Sequence, residues 1–315
     1  MSALFDNQNI LIIKLGALGD FIQALGPMKA IRDHHPGTHI TLLTTHPYEQ
    51  LALESGSVDA VWIDDRPRLY QVGKWLALRS RLRLGQFARV YDLQTSERSS
   101  SYFRLFPNST KPEWSGIAKG CSHPHKNPNR DFMHTQDRQR EQLNMSGIYL
   151  VPPTDLSQMN ADVSHFNLPK SYGLLVPGGA AHRPAKRWPV DRYTELSAQI
   201  NLKGITPVIL GSPSESNLAE HIKAIAPDAI NLTGQTSLIE IIGLAKNAKI
   251  AVGNDTGPMH MASAAHCPSV VLFSNESDPK LCAPKGQKTA IFTRTDLNDL
   301  STQDVLNSAP FEAIF

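Results

Sequence analysis

Val252-Gly253-Asn254-Asp255-Thr256-Gly257-Pro258-Met259-His260 follows an apolar run, Ala248-Lys249-Ile250-Ala251, and leads into Met259-His260-Met261-Ala262-Ser263-Ala264-Ala265, a small-residue run of helical character. A strand, a glycine-bearing turn and a helix in that order form the unit from which parallel α/β sheets are built. The opening of such a helix leaves backbone N–H groups without intrahelical partners, and the macrodipole adds partial positive charge, so the turn is suited to a diphosphate. Asp255 and His260 add directional polar groups at the same mouth. The plainer alternative is an ordinary strand-to-helix turn capped by Asp255 or Thr256.

The same punctuation recurs on both sides of this stretch. Upstream, Tyr172-Gly173-Leu174-Leu175-Val176, Thr206-Pro207-Val208-Ile209-Leu210 and Ala229-Ile230-Asn231-Leu232 read as strands, and downstream so does Ser269-Val270-Val271-Leu272-Phe273. All but the third of these carboxyl ends, with that of Ile250-Ala251-Val252, run into polar turns, among them Pro177-Gly178-Gly179 and Gly211-Ser212-Pro213-Ser214-Glu215. Ligands in open parallel sheets sit at the carboxyl ends of strands, so these loops are expected to converge. An earlier series begins at Asn9-Ile10-Leu11-Ile12-Ile13, a continuous apolar run suited to a strand buried on both faces. It continues through strands at 38–44, 60–63 and 89–93, with helices expected at 26–34 and 74–84. The Gly-, Pro-, His- and Lys-rich stretch 115–129 is expected to be a loop, and Pro152 to Lys170 to link the domains.

At 315 residues and 41% hydrophobic content the chain is long enough for two domains with real cores. No apolar run reaches the length of a spanning helix, and Met1 to Asp6 lacks the basic flank of a secretory signal, so a cytoplasmic address is expected. Three widely spaced cysteines, Cys121, Cys267 and Cys282, fit unpaired thiols. Cys121 with His123 and His125 matches no standard zinc spacing, and no metal is expected. The net charge of +2 conceals a division: residues 66–140 hold fifteen Lys/Arg against five acidic residues, and the remainder sixteen against twenty-four. Such a basic block suits a polyanionic partner or is simply a solvated face. The absence of a recognisable binding module argues against nucleic acid.

Three ordered motifs, Lys14-Leu15-Gly16-Ala17-Leu18-Gly19-Asp20, Lys186-Arg187-Trp188-Pro189 and Gly253 to His260, give the chain its resemblance to glycosyltransferase family 9, the heptosyltransferases of lipopolysaccharide core assembly. That resemblance implies an α/β protein of GT-B fold, with two facing Rossmann-like domains of parallel sheets. Residues 1–165 would form the acceptor domain and 166–315 the nucleotide-sugar donor domain, the last helix available to pack back on the first. It implies an inverting transferase that needs neither metal nor cofactor, ADP-heptose being a substrate. The acceptor would be a phosphorylated glycolipid or saccharide, met in peripheral contact with the inner membrane.

Roles carry over by motif position. Asp20 matches the candidate general base, a position worth roughly 10²–10⁴-fold in rate; the alternative is that it caps a helix starting near Phe21. Lys186 matches the lysine that steadies the donor diphosphate as the nucleotide departs, and the N–H groups of Thr256 and Gly257 share that task. Asp255 matches a contact to sugar hydroxyls and Glu215 a contact to the ribose, unless Glu215 merely closes a capped helix start. His260 holds the phosphate loop or packs, and Gly178 and Gly179 permit close backbone approach to the donor. Gly19, Gln94 and Arg98 are the expected acceptor contacts. Trp188 and Pro189 are assigned packing and a helix start. Phe21 to Pro27 and Phe273 to Pro279 depart from the family pattern. The competing readings are a nucleotide-sugar epimerase or hydrolase of the same fold, or a non-catalytic nucleotide-sugar-binding protein. A nicotinamide enzyme is disfavoured because Gly16 to Asp20 lacks a full GxGxxG.

Overall fold

The computed structural model describes residues 9–180 and 182–314; Met1 to Asp6, read above for a secretory signal, and Ala181 lie outside the described residues. The chain divides into two compact units, Met1–Thr154 and Asp155–Phe315. The division lies inside the Pro152 to Lys170 stretch, ahead of the expected 165/166 boundary.

In the first unit, strands β1 (Asn9–Ile13), β2 (Ile40–Thr44), β3 (Ala60–Ile63), β4 (Phe87–Asp92), β5 (Glu113–Gly116) and β6 (His123–Pro124) form one parallel sheet in the order β3-β2-β1-β4-β5-β6. Helices α1 (Leu18–His34), α2 (Glu49–Glu54), α3 (Val72–Leu84), α4 (Glu97–Tyr102) and α5 (Thr135–Asn144) accompany it. Strand β1 is central because its Ile and Leu side chains are buried on both faces, and Ile12 stands between Leu42 of β2 and Tyr91 of β4. The expected loop at 115–129 contains the end of β5 and all of β6. Trp114, fully buried against Phe103 and Phe106, anchors this short edge.

The second unit repeats the design. Strands β7 (Tyr172–Val176), β8 (Thr206–Ile209), β9 (Ile230–Asn231), β10 (Ile250–Asn254), β11 (Ser269–Phe273) and β12 (Thr289–Thr293) lie parallel in the order β12-β11-β10-β7-β8-β9. Counted from its first strand, this is the same order as in the first unit. Helices α6 (Val190–Leu202), α7 (Ser216–Ile225), α8 (Leu238–Asn247), α9 (Gly257–Ala264), α10 (Pro279–Cys282), α11 (Thr302–Leu306) and α12 (Ala309–Glu312) follow. The last helix packs within this unit: Phe311 is fully buried in a cluster with Trp188, Tyr193, Val270 and Leu272. Strand β12 went unread in the sequence.

Helix α1 starts at Leu18, earlier than expected, with Ala17 at the N-cap position and Asp20 in the first turn, so Asp20 is not the cap. It also carries Pro27 in its interior. A proline there removes the bond that would satisfy the Gln23 carbonyl. The Thr154 hydroxyl lies 2.9 Å from the Ile22 oxygen and 3.4 Å from that of Gln23, and accepts from the Gly26 N–H at 3.3 Å. The chain at 152–154 therefore crosses α1 at the level of Gly26, where a Cβ would stand 2.4 Å from the Pro152 oxygen. Gly26→Ala is expected to lower unfolding free energy by about 2 kcal/mol, through overpacking against backbone. Urea denaturation checks this, and unchanged stability would refute the close crossing.

No helix among the described residues is long and apolar enough to cross a membrane. The three cysteines are free thiols, and no group of three or more His, Cys, Asp or Glu side chains among the described residues is arranged to hold a metal ion.

Candidate functional site

Each sheet reverses its strand order once, between β1 and β4 in the first unit and between β7 and β10 in the second. Connections leave such a point in opposite directions and open a crevice at the carboxyl ends of the two strands. The motifs fall at these points.

In the second unit Asn254, the last residue of β10, is fully buried. Its Nδ2 donates to the Pro177 and Gly178 oxygens, each at 2.9 Å, and its Oδ1 accepts from the Trp188 N–H at 2.9 Å and the Tyr193 hydroxyl at 3.2 Å. One amide thus ties the end of β10 to the loop after β7 and to the segment entering α6. That segment carries Lys186, whose Nζ donates to Asp255 Oδ2 at 2.6 Å. The Ser277 hydroxyl donates to the same oxygen at 2.9 Å, and His260 Nε2 lies 3.6 Å from Oδ1. Thr256 is the N-cap of α9 in extended conformation, and its hydroxyl donates to the Asn254 oxygen at 3.1 Å rather than capping the helix. The first N–H groups of α9 remain without intrahelical partners beside the Lys186–Asp255 pair.

Burial, the largest influence on Asp255, disfavours its charge; the His260 ring and the Lys186 ammonium outweigh it and hold the carboxyl at about 2. A depressed carboxyl contributes stability that is present above its unfolded pKa, near 3.8, and lost as pH falls through the folded value. The stability difference between wild type and Asp255→Asn is therefore expected to narrow by about 2 kcal/mol between pH 5 and pH 2. Denaturant unfolding across that window measures it, and a constant difference would contradict the charge pairing.

Glu215 is fully engaged by its own surroundings. Oε1 accepts from the Gly179 N–H at 2.7 Å, and Oε2 accepts from the Ser212 N–H at 2.7 Å and from the Ser212 hydroxyl at 2.9 Å. It closes the capping box of a short turn and latches the loop after β7 to the loop after β8. Glycine at 178 leaves room for this carboxylate, since a Cβ there would stand 2.0 Å from Oε1 and displace it. At Gly179 a Cβ would meet only ordinary contacts, while the Arg187 guanidinium donates to the Gly179 oxygen at 2.6 Å.

In the first unit Gln94, just past β4, plays the part that Asn254 plays in the second. Its Oε1 accepts from the Leu15 N–H at 2.8 Å and its backbone N–H donates to Ile13 at 3.0 Å, spanning the switch point. Gln94 also lines a cavity of about 490 Å³ with Leu15, Gly16, Ala17, Thr45, Pro47, Tyr48 and Arg66. Below this floor Lys14 is buried and donates to the Leu93 oxygen at 3.4 Å. Burial pulls Lys14 below the usual lysine range, and the carboxylate of Asp20 acts against it; Arg138 of α5 also lies within the field of Asp20. Burial likewise raises Asp92 to about 6, against the Thr95 N–H, the Ser99 hydroxyl and Lys14. Asp20 makes no side-chain hydrogen bond among the described residues, and Gly19 precedes it in the first turn of α1. Arg98 is held from the side: its Nη2 donates to the Pro67 oxygen at 3.2 Å and its guanidinium lies 5.8 Å from the Trp75 ring centre.

The structure thus brings together Gly178, Gly179, Lys186, Glu215, Asp255, Thr256, Gly257 and His260 in the second unit. In the first it brings Gly19 and Asp20 to the loop that Gln94 holds, while Arg98 reaches Pro67, the neighbour of the cavity-lining Arg66. Asn254, Ser277, Lys14, Asp92 and Arg66 were missed as contributors. A polar residue ending an apolar strand was the available signal for Asn254 and Asp92.

The model of glycosyltransferase family 9 (heptosyltransferase) matches residues 75–309, and the chain belongs to that family. The lipooligosaccharide heptosyltransferase 2 of Haemophilus influenzae is 33% identical over 118 residues, which cover 36% of this chain and 34% of that protein. The match therefore spans about a third of that curated relative. Among solved structures, a family 9 glycosyl transferase of Veillonella parvula superposes with a TM-score of 0.82 at 19% identity, covering 98% of this chain and 97% of that one. The ADP-heptose lipopolysaccharide heptosyltransferase II of E. coli gives 0.78 at 21% identity, with 98% of each chain covered. Both share the GT-B fold with this chain.

Proposed function

We propose that the protein is an inverting, metal-independent glycosyltransferase that moves heptose from ADP-heptose to a lipopolysaccharide-core or other lipid-linked saccharide, in the cytoplasm at the inner face of the inner membrane. One observation carries this reading: in a family 9 chain, Lys186 and the opening of α9 meet at the switch point of the second sheet. As the bond between the anomeric carbon and the diphosphate breaks, its electron pair passes to the β-phosphate oxygen. Lys186 and the N–H groups of Thr256 and Gly257 supply the positive field that this charge requires. Asp255, faced by His260 and bonded by Ser277, orients Lys186 and presents its carboxylate to sugar hydroxyls. Asp20 takes the proton of the acceptor hydroxyl as that oxygen attacks the opposite face of the anomeric carbon, giving inversion in one displacement. The reaction calls on no bound cofactor. Glu215 serves the donor by fixing the Gly178-Gly179 loop, and Gln94 edges the acceptor pocket.

Calorimetry with ADP-heptose, ADP-glucose, UDP-sugars and NAD, followed by NMR assignment of the product anomer, tests the reading. Selective ADP-sugar binding and an inverted anomer are expected. Nucleotide release at full rate without acceptor would replace transfer with hydrolysis or epimerisation, and binding of NAD alone would overturn it.

A further inference from the structure

Helix α3 is apolar on two opposite faces. Its inward face carries Leu78 and Leu82, buried in the core of the first unit, with Trp75 packed beside them. Its outward face follows the fourfold spacing that sets residues in one row along a helix, Val72, Leu76, Ser80 and Leu84. These apolar members are solvent-exposed, Val72 at 62%, Leu76 at 57% and Leu84 at 79%, and Leu69 just ahead of the helix is 89% exposed. Gly73 and Ala77 widen the row without adding polarity.

Cations line both borders of this row. Arg79 and Arg83 run along one side and Lys74 and Arg81 along the other, all exposed, and the helix contains no acidic residue. Arg79 and Arg83 have no ion-pair partner among the described residues. Arg81 lies 4.5 Å over the Trp62 ring, at an open groove of about 430 Å³ lined by Trp62, Ala77, Ser80, Arg81, Leu84 and Gly85. A stripe of exposed leucines and valine bounded by unpaired arginines is unfavourable in water alone and complementary to an interface that is anionic outside and apolar beneath.

From this arrangement we propose that the outward face of α3 docks on an anionic lipid bilayer, with Val72, Leu76 and Leu84 entering the acyl boundary and Arg79, Arg83, Lys74 and Arg81 meeting lipid phosphates. A second copy of the chain is the less fitting occupant, because the row would bring two sets of arginines together. The inference rests on the membrane location in the transfer reading and assigns the surface that makes the contact; it is tested without donor or acceptor, so its failure leaves the transfer chemistry standing and is distinguishable from failure of that chemistry.

The test is co-sedimentation of the full chain with vesicles of phosphatidylcholine, alone or mixed with phosphatidylglycerol, at low and high salt. Binding is expected only to the mixed vesicles and is expected to weaken with salt. The double change Arg79→Gln/Arg83→Gln should lower partitioning about tenfold or more. Leu76→Glu/Leu84→Glu should lower it at least as far, while Leu202→Glu, on an exposed leucine of the second unit, should leave it unchanged. All these positions are exposed, and thermal melts verify that each variant is folded. Absence of binding to anionic vesicles, or binding indifferent to both double changes, overturns the proposal. So does a dimer in solution that Leu76→Glu/Leu84→Glu dissociates, or tighter binding to duplex nucleic acid than to vesicles.

Discussion

Lys186→Met is expected to lower kcat by about 10²–10³-fold while changing ADP affinity far less, because the ammonium serves a charge that grows only as the nucleotide departs. Steady-state transfer assays with calorimetric ADP binding separate the two effects. The substitution also strips Asp255 of a partner 2.6 Å away, and an uncompensated buried carboxylate destabilises the fold. A structural defect could therefore imitate a catalytic one, and a second variant separates them. In Lys186→Met/Asp255→Asn both charges are gone, so stability should largely return while turnover stays low. Recovery of turnover with stability would show that Lys186 acts only through folding. Arg187 is a poor substitute, since its guanidinium already holds the Gly179 oxygen.

Asp20→Asn is expected to lower kcat by about 10²–10⁴-fold with donor affinity unchanged. Asparagine keeps the shape and hydrogen-bonding reach of the side chain in the first turn of α1 but cannot accept a proton. Asp20 is not the N-cap and makes no side-chain hydrogen bond among the described residues, so little of the fold depends on it. Turnover within tenfold of wild type would remove Asp20 from the chemistry and leave it as a charge balancing Lys14 and Arg138.

The fold was legible where a strand is buried on both faces. Ile10 to Ile13, Tyr172 to Val176 and Val270 to Phe273 are uninterrupted apolar runs, because no polar side chain can face solvent from the middle of a parallel sheet. The edge strands β3 and β9 were read as well, at 60–63 and 229–232, but β6 and β12 were not: β6 is His123-Pro124, and β12 alternates half-buried and exposed residues after a long irregular stretch. Their identity comes from the neighbour they pair with, which local pattern does not contain. At the site, the glycine-rich turns and Lys186 were visible as motifs. The partner of Gly178 was not, because Glu215 reaches it from another loop, nor were the contacts of Arg98 to Pro67 and Trp75, which lie 31 and 23 residues away in sequence. Burial hid Lys14 and Asp92, whose ionisable side chains end strands that otherwise read as apolar.

Gln94 and Asn254 lie at the corresponding switch points of two units with the same strand order, and nearly all the bonds of both amides go to backbone atoms. Backbone atoms are supplied by every residue type. Apart from Gly178 and Lys186, side chains in the loops around Leu15 and around Pro177 to Trp188 are therefore free to drift without loosening the joint at each switch point. A lineage with this architecture can explore new sugars and acceptors by changing what lines the mouth, while the mechanical problem of keeping the mouth open stays solved by one uncharged side chain in each half.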